Sequence, residues 1–175
     1  MSRLENLLGA QALAVTDRLL AADGDEGVDL SASGRAALVT LLAHPDHAVS
    51  WLGGVLGLSS SGVTRLVDRL VAADLVTRTA GADARSRRIR LTEKGIGRAE
   101  VILRARRAAI ADVLGSFSDR DRGEFERLLG QLVGALAETR MPALQVCRLC
   151  DRSACASGGA ECPLAHTVPA EGDDD

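Results

Sequence analysis

The thirteen residues Asp83-Ala-Arg-Ser-Arg-Arg-Ile-Arg-Leu-Thr-Glu-Lys-Gly95 constrain this chain more than any other stretch. Five cations and two acids share the segment, and it closes on Thr92-Glu93, a helix-start signal. Directly before it, Ser60 to Ala72 reads as an amphipathic helix, because Val63, Leu66, Val67 and Leu70 fall at i, i+3, i+4 and i+7. Val76–Thr79 and Arg88–Leu91 read as short strands, with Gly81, Asp83 and Ser86 in the connection between them. The order is therefore amphipathic helix, basic hairpin, capped long helix.

Outside its apolar stripe the Ser60–Ala72 helix carries Ser60, Ser61, Thr64, Arg65, Asp68 and Arg69. Small hydroxyls in a first turn suit a helix end that must approach a nucleic acid closely, and arginines reach base edges or phosphates from there. Net charge is −3, which alone argues against a polyanionic partner. The distribution reverses this: Arg65 to Arg107 holds twelve basic and five acidic residues, whereas the last fifteen residues hold five acids and no Lys or Arg. Helix, basic hairpin, helix is the arrangement with which a winged helix-turn-helix grips DNA. A basic hairpin alone is as readily a solvated loop; its flanking helices favour the wing.

The remaining punctuation sets the organisation. A helix over about residues 3–22 carries Leu4, Leu7, Leu8, Val15 and Leu19 and stops at Asp23-Gly24-Asp25. Ser31 caps a second helix that ends at His44-Pro45-Asp46. A short helix follows over about Val49 to Leu56, with Trp51, Leu52 and Val55 as expected core, and Gly57-Leu58-Ser59 is a tight turn with a built-in N-cap for the next helix. Thr92 starts a helix running to about Leu114, and Ser118 starts another that carries Phe125, Leu128, Leu132 and Leu136 and stops before Pro142. His44 and His47, on either side of Pro45, are expected in a surface loop.

The expected fold class is mainly α with a small β-hairpin wing. The divisions are an N-terminal dimerisation helix (1–30), a winged helix-turn-helix (31–92), dimerisation helices (93–140), a cysteine-rich segment (141–168) and an acidic tail (169–175). Aromatics are only 2% of the chain, so the core must be aliphatic. No window approaches the ~20 apolar residues of a membrane span, and a cytosolic location is expected.

On Leu58-Ser-Ser-Ser-Gly-Val-Thr-Arg-Leu-Val-Asp-Arg-Leu70, Asp74-Leu-Val-Thr-Arg78, Asp83-Ala-Arg85-Ser and Leu91-Thr-Glu-Lys-Gly95, in this order and spacing, the chain resembles the MarR family of winged-helix regulators over roughly residues 1–140. The resemblance implies a homodimer joined through its first helix and its last two long helices, acting on a palindromic duplex, with a recognition helix in the major groove and a wing in the minor groove. It also implies that Arg85 enters the minor groove, that Asp83 orients it, and that Arg87 and Arg88 meet phosphates. A narrow minor groove concentrates negative potential and attracts arginine. The chain departs from the family at Ala72-Ala73-Asp74, where a charged residue and a glycine are common, so a different local turn is expected.

All four cysteines fall within sixteen residues, as Cys147-x2-Cys150-x4-Cys155-x6-Cys162. In a reducing compartment such clustering reads as metal ligation or thiol chemistry. Zinc takes four thiolates, an iron–sulfur cluster does too, and a thiol–disulfide switch is the third reading. One C-x2-C knuckle is too few for the usual zinc ribbon, and the spacing matches no standard ferredoxin run, so zinc and iron–sulfur stay level. His166 reads as a bystander. Arg104, Arg106 and Arg107 read as solvated or ion-paired between subunits.

The leading function is a dimeric DNA-binding transcription regulator, expected to be a repressor, tuned by metal, redox state or a small-molecule effector. The alternative is a small metal- or redox-carrier whose basic hairpin binds an acidic protein. An enzyme is weakest, since no nucleophile–base pair or phosphate-cradling loop stands out.

Overall fold

The computed structural model describes residues 1–21, 30–80 and 87–168, and the side chain of Ala80 is not among them. Helix α1 (Arg3–Ala21) is followed by α2 (Ala32–Ala43), strand β1 (His47–Ala48), α3 (Val49–Leu56), α4 (Ser60–Ala72), strands β2 (Val76–Ala80) and β3 (Arg87–Leu91), and α5 (Glu93–Leu114). Beyond these lie α6 (Asp119–Gly134), α7 (Arg140–Val146) and the single-turn α8 (Arg152–Cys155). This is the winged-helix architecture that the sequence predicts: mainly α, with one small antiparallel sheet.

Side-chain caps set the starts of α2, α4, α5 and α6. Ser31, Ser59, Thr92 and Ser118 accept from the amides of Gly34, Gly62, Gly95 and Asp121 at 3.2, 3.2, 3.0 and 3.2 Å. Each satisfies a donor that the helix geometry leaves without a partner, an effect of about 1 kcal/mol per cap. Gly57 ends α3 with φ +64, a left-handed conformation that costs glycine nothing.

The core joins α2, α3, α4, the sheet and the first half of α5. Leu38, Leu41, Leu52, Val63, Val67, Leu70, Leu75 and Ile89 are all buried, and Ala99 and Ile102 bring α5 onto them. The apolar stripe of α4 is wholly inside, which fixes that helix's rotation and so decides what it shows to solvent. Strand order is β1-β3-β2, both pairings antiparallel, with His47 opposite Ile89 and Val76 opposite Leu91.

The junction of β2, β3 and α5 is tight. Thr92 donates from its amide to Leu75 (3.1 Å) and from its hydroxyl to Asp74 (2.7 Å), while Lys94 Nζ donates to Ala73 (2.8 Å). Asp74 stands at φ 58, where glycine would sit without strain, so the turn after α4 is made by a left-handed aspartate whose carbonyl is held by Thr92.

Strand β1 and helices α7 and α8 were not read from the sequence. The His44–His47 region is no simple surface loop: His47 and Ala48 form β1, and both histidines are partly buried. Pro142 does follow the end of α6, but it lies in the first turn of α7, where its missing N–H leaves no helical bond unmade. Trp51, expected in the core, packs against it while partly exposed. In contrast, α1 and α6 bury no residue, and Leu4, Leu7, Leu8, Leu13, Leu128, Leu132 and Leu136 are exposed. No helix among the described residues is long and apolar enough to cross a membrane.

Candidate nucleic-acid interface and cysteine cavity

Helix α4 presents one continuous polar face. Ser60, Ser61, Thr64, Arg65 and Arg69 are all exposed, because the opposite face is locked into the core. Ser59 accepts the Gly62 amide and lies 3.3 Å from the Ser61 hydroxyl, and Thr64 donates back to the Ser60 carbonyl at 2.8 Å. The first turn is thus small, hydroxyl-bearing and electropositive at its amide end. Asp68, on the same helix, accepts from Arg78 Nη2 at 2.6 Å and ties α4 to β2.

The hairpin base lies beside this face. Arg87, Arg88 and Arg90 are exposed on β3 while Ile89 between them is fully buried. Arg88 donates to the Asp46 carbonyl at 2.6 Å, and Arg90 donates to the Asp46 carboxylate at 2.7 Å. The carboxylate also stands 3.6 Å from Arg88, and its pKa is held below the usual range first by the Arg90 hydrogen bond. Asp46 has φ 63, so a left-handed corner presents both of its acceptor groups to the wing strand. Asp83 and Arg85, the expected wing tip, lie outside the described residues, as does the acidic tail over 169–175.

The corner that holds Asp46 is lined with rings. His47 stacks on Trp51 with centroids 3.8 Å apart and planes at 15°, and His44 meets Trp51 edge-on at 5.7 Å. Burial, then the charges of Arg152 and Arg140, push the His44 pKa down to about 4. His47 is lowered too, by burial and then Arg88.

The cysteine segment does not extend away from the long helices; it folds back onto the α2–α3 pair. Thr40 on α2 donates to the Arg148 carbonyl (3.2 Å), and Gln145 on α7 donates to the Gly54 carbonyl (3.0 Å). Met141 closes over Gly54, where an added Cβ would come within 3.2 Å of its sulfur. Ala143 and Leu164 bury against Ala137 at the end of α6, and His166 is hydrogen-bonded to the Ala137 carbonyl at 3.0 Å, a structural contact.

Cys147, Cys150, Cys155 and Cys162 line one cavity of about 290 Å³, together with His44, Arg140, Arg148 and Arg152 and the apolar side chains of Val39, Ala143 and Leu164. Cys147 and Cys150 are partly buried, while Cys155 and Cys162 are exposed. Cys150 and Cys147 share a hydrogen bond that lowers the pKa of Cys147 and, with burial, raises that of Cys150. Burial first, then the Cys150 charge, pushes Cys155 up to about 11. Among the described residues no three His, Cys, Asp or Glu side chains are arranged as they stand to hold a metal ion. The chemistry of the lining is thiophilic: four cysteines border one space, and crowded thiolates would repel one another until a cation bound, in keeping with the raised pKa values of Cys150 and Cys155.

The MarR family model matches residues 29–86. A MarR family protein from Bacillus stearothermophilus is 35% identical, with 74% of this chain and 89% of that chain covered and a TM-score of 0.66. The chain belongs to the MarR family. An Escherichia coli MarR variant (19% identical; 76% of this chain and 98% of that one; TM-score 0.66) shares the fold. So does MepR, a transcription regulator of the Staphylococcus aureus multidrug efflux pump MepA (17% identical; 78% and 100%; TM-score 0.65). Among curated proteins no significant sequence match was found.

In this MarR-family chain the residues singled out on α4 come together on one exposed face, and the four cysteines come together around one cavity. The ring-lined corner and its Asp46 were missed. A proline between two histidines, shortly before a lone tryptophan, was the only signal for them. Arg104 and Arg107 pair within the chain, with Glu100 at 3.9 Å and Asp151 at 3.3 Å.

Proposed function

We propose that the chain is a homodimeric transcription regulator, acting as a repressor, that binds a palindromic duplex through α4 and the β2–β3 hairpin. The observation that carries this is the exposed face of Ser60, Ser61, Thr64, Arg65 and Arg69, backed by a fully buried stripe on the same helix. Such a helix can enter a major groove without rearranging its core, and its arginines can bridge base edges. The exposed leucines of α1 and α6 are the surfaces that a second copy would cover. Arg65→Ala should weaken binding to a duplex selected by the wild-type protein by about 1–3 kcal/mol, read by fluorescence anisotropy. Unchanged affinity would remove α4 from the interface.

The four-cysteine cavity is proposed to hold a thiolate-bound metal centre that sets DNA affinity. Cys147, Cys150, Cys155 and Cys162 would supply the ligands, and the centre would supply the charge that keeps four thiolates together. Zinc and an iron–sulfur cluster share this chemistry; anaerobic purification with metal analysis and a visible spectrum separates them. Replacing Cys150 and Cys155 together by serine should abolish both loading and the response of DNA binding to chelator. A double variant that kept its metal and its response would refute the site.

A further inference from the structure

The cavity beside the four thiols carries a positive charge that its walls do not balance. Arg140, Arg148 and Arg152 border it together with His44, and no aspartate or glutamate does so among the described residues. Arg148 donates to the Gln145 carbonyl, and Arg152 meets the His44 ring at 3.1 Å. Arg140, half-buried at the start of α7, makes no hydrogen bond or ion pair with another described residue. Its charge reaches the cavity all the same, because the His44 pKa is lowered by burial first, then by Arg152 and Arg140. Charged groups taken partly out of water are ordinarily paired. A guanidinium left without an anion beside an apolar wall points to a ligand.

The apolar part of the wall is aliphatic. Val39 and Ala43 of α2 line it with Ala143, Leu144, Leu164 and Val168 of the C-terminal segment, and His44 brings the one ring among the described lining residues. We propose that this cavity binds a small aliphatic monocarboxylate, with its carboxylate on Arg140 and Arg152 and its chain on the wall shared by α2 and the C-terminal segment. The guanidinium fork matches the two oxygens of a carboxylate, which a lysine cannot copy. A mostly apolar pocket with a few convergent polar groups is the usual form of a small-molecule site. The volume of about 290 Å³ leaves room for about ten groups of the ~30 Å³ that a water molecule takes in the liquid, so the body is a short chain. The inference goes beyond a thiolate-bound centre and does not depend on one, since it rests on the arginines and the aliphatic wall. The ligand touches both α2 of the DNA-binding lobe and the segment that follows α6, so its binding favours the docking of one on the other.

The test uses the full-length chain, reduced and stripped of metal by chelator, with octanoate as the probe. Isothermal titration should show saturable binding of one octanoate per chain. The His44 ring resonances, assigned with His44→Gln, should move with the same saturation. Octanamide, of the same shape without the charge, should bind at least about tenfold more weakly, as the loss of a charge-assisted bond requires. Arg140→Ala should weaken octanoate by a similar factor and leave octanamide unaffected, a pattern that a general loss of packing would not give. Arg140→Lys, which keeps the charge and loses the fork, should fall between. Arg104 lines a separate crevice with Glu100 and Leu103, so Arg104→Ala should bind octanoate as the wild type does. No saturable binding at millimolar octanoate overturns the proposal, as does equal binding of octanamide or undiminished binding by a folded Arg140→Ala. Loss of binding in Arg104→Ala alone places the ligand in the other crevice and equally overturns it. The comparison of octanoate with octanamide needs only the wild type, so it decides even where a variant fails to fold. No metal is present in these titrations, so their failure leaves the thiolate centre standing, and a failure to load metal leaves the carboxylate site standing.

Discussion

Gly95 lies in the first turn of α5, and replacing it by alanine should be costly for a reason confined to a few atoms. A Cβ built there lies 1.9 Å from the Leu75 carbonyl oxygen and 3.0 Å from its carbon. Real Cβ contacts essentially never fall below 3.0 Å, so the helix start must retreat by about an ångström. The obstacle is backbone, so no side chain can rotate out of the way. Retreat also strains the bonds that staple the junction: Thr92 to Leu75 (3.1 Å), Thr92 to Asp74 (2.7 Å) and Lys94 to Ala73 (2.8 Å). Overpacking of this kind costs about 1–3 kcal/mol and sometimes more, and each weakened hydrogen bond adds about 0.5–1.5 kcal/mol. Alanine's better helix propensity returns about 1 kcal/mol. The net expectation is a loss of about 3 kcal/mol. For a chain of this size that lowers Tm by about 6–12 °C, measured by circular dichroism of the purified variant. Gly97, on the same helix, has nothing within 4 Å of its Cβ position, so Gly97→Ala is the control and should raise Tm slightly. If Gly95→Ala also raised Tm, helix propensity alone would govern the site and the steric argument would be wrong.

Leu132 is exposed on α6 in line with Leu128 and Leu136, so Leu132→Glu should shift the protein from dimer to monomer in sedimentation velocity; an unchanged dimer would exclude this face. His44 predicts acid sensitivity. Its folded pKa is about 4 against an ordinary 6.5, held down by burial and by Arg152, Arg140 and His47, so the unfolded chain takes the proton first. Its contribution is full above about pH 6.5 and is lost as pH falls through 4. Solvent screening of this part-exposed ring limits the effect to about 1 kcal/mol. His44→Gln should flatten that part of the stability–pH curve, and an unaltered curve would show that the ring is not held neutral by its surroundings.

What the sequence disclosed is local. Ser31, Ser59, Thr92 and Ser118 announce their helices because each cap needs only the next three residues, and all four accept the amide expected of them. The face of α4 follows from a period of 3.6 that needs no tertiary information. A two-residue strand has no period to detect, so β1 was invisible. Pro142 reads as a stop in a sequence and works as a start in the fold, since the first turn of a helix has no use for its N–H. The docking of the cysteine segment was not legible, because its bonds, Thr40 to Arg148 and Gln145 to Gly54, span 108 and 91 residues. No pattern within a window of sequence carries contacts of that length.

Asp46 changes how the basic stretch should be counted. The sequence offers the wing's arginines as free cations, yet Arg88 and Arg90 already have an anion, the Asp46 carboxylate, within 3.6 and 2.7 Å. Binding to DNA gains much of its strength from small ions displaced from the phosphates, one for each phosphate neutralised, and this gives the affinity its dependence on salt. An arginine that exchanges an internal carboxylate for a phosphate adds less to that release than one taken from water. If the hairpin binds DNA as proposed, the salt dependence should therefore register fewer charges than it displays, with Arg88 and Arg90 aiming the strand more than supplying its attraction.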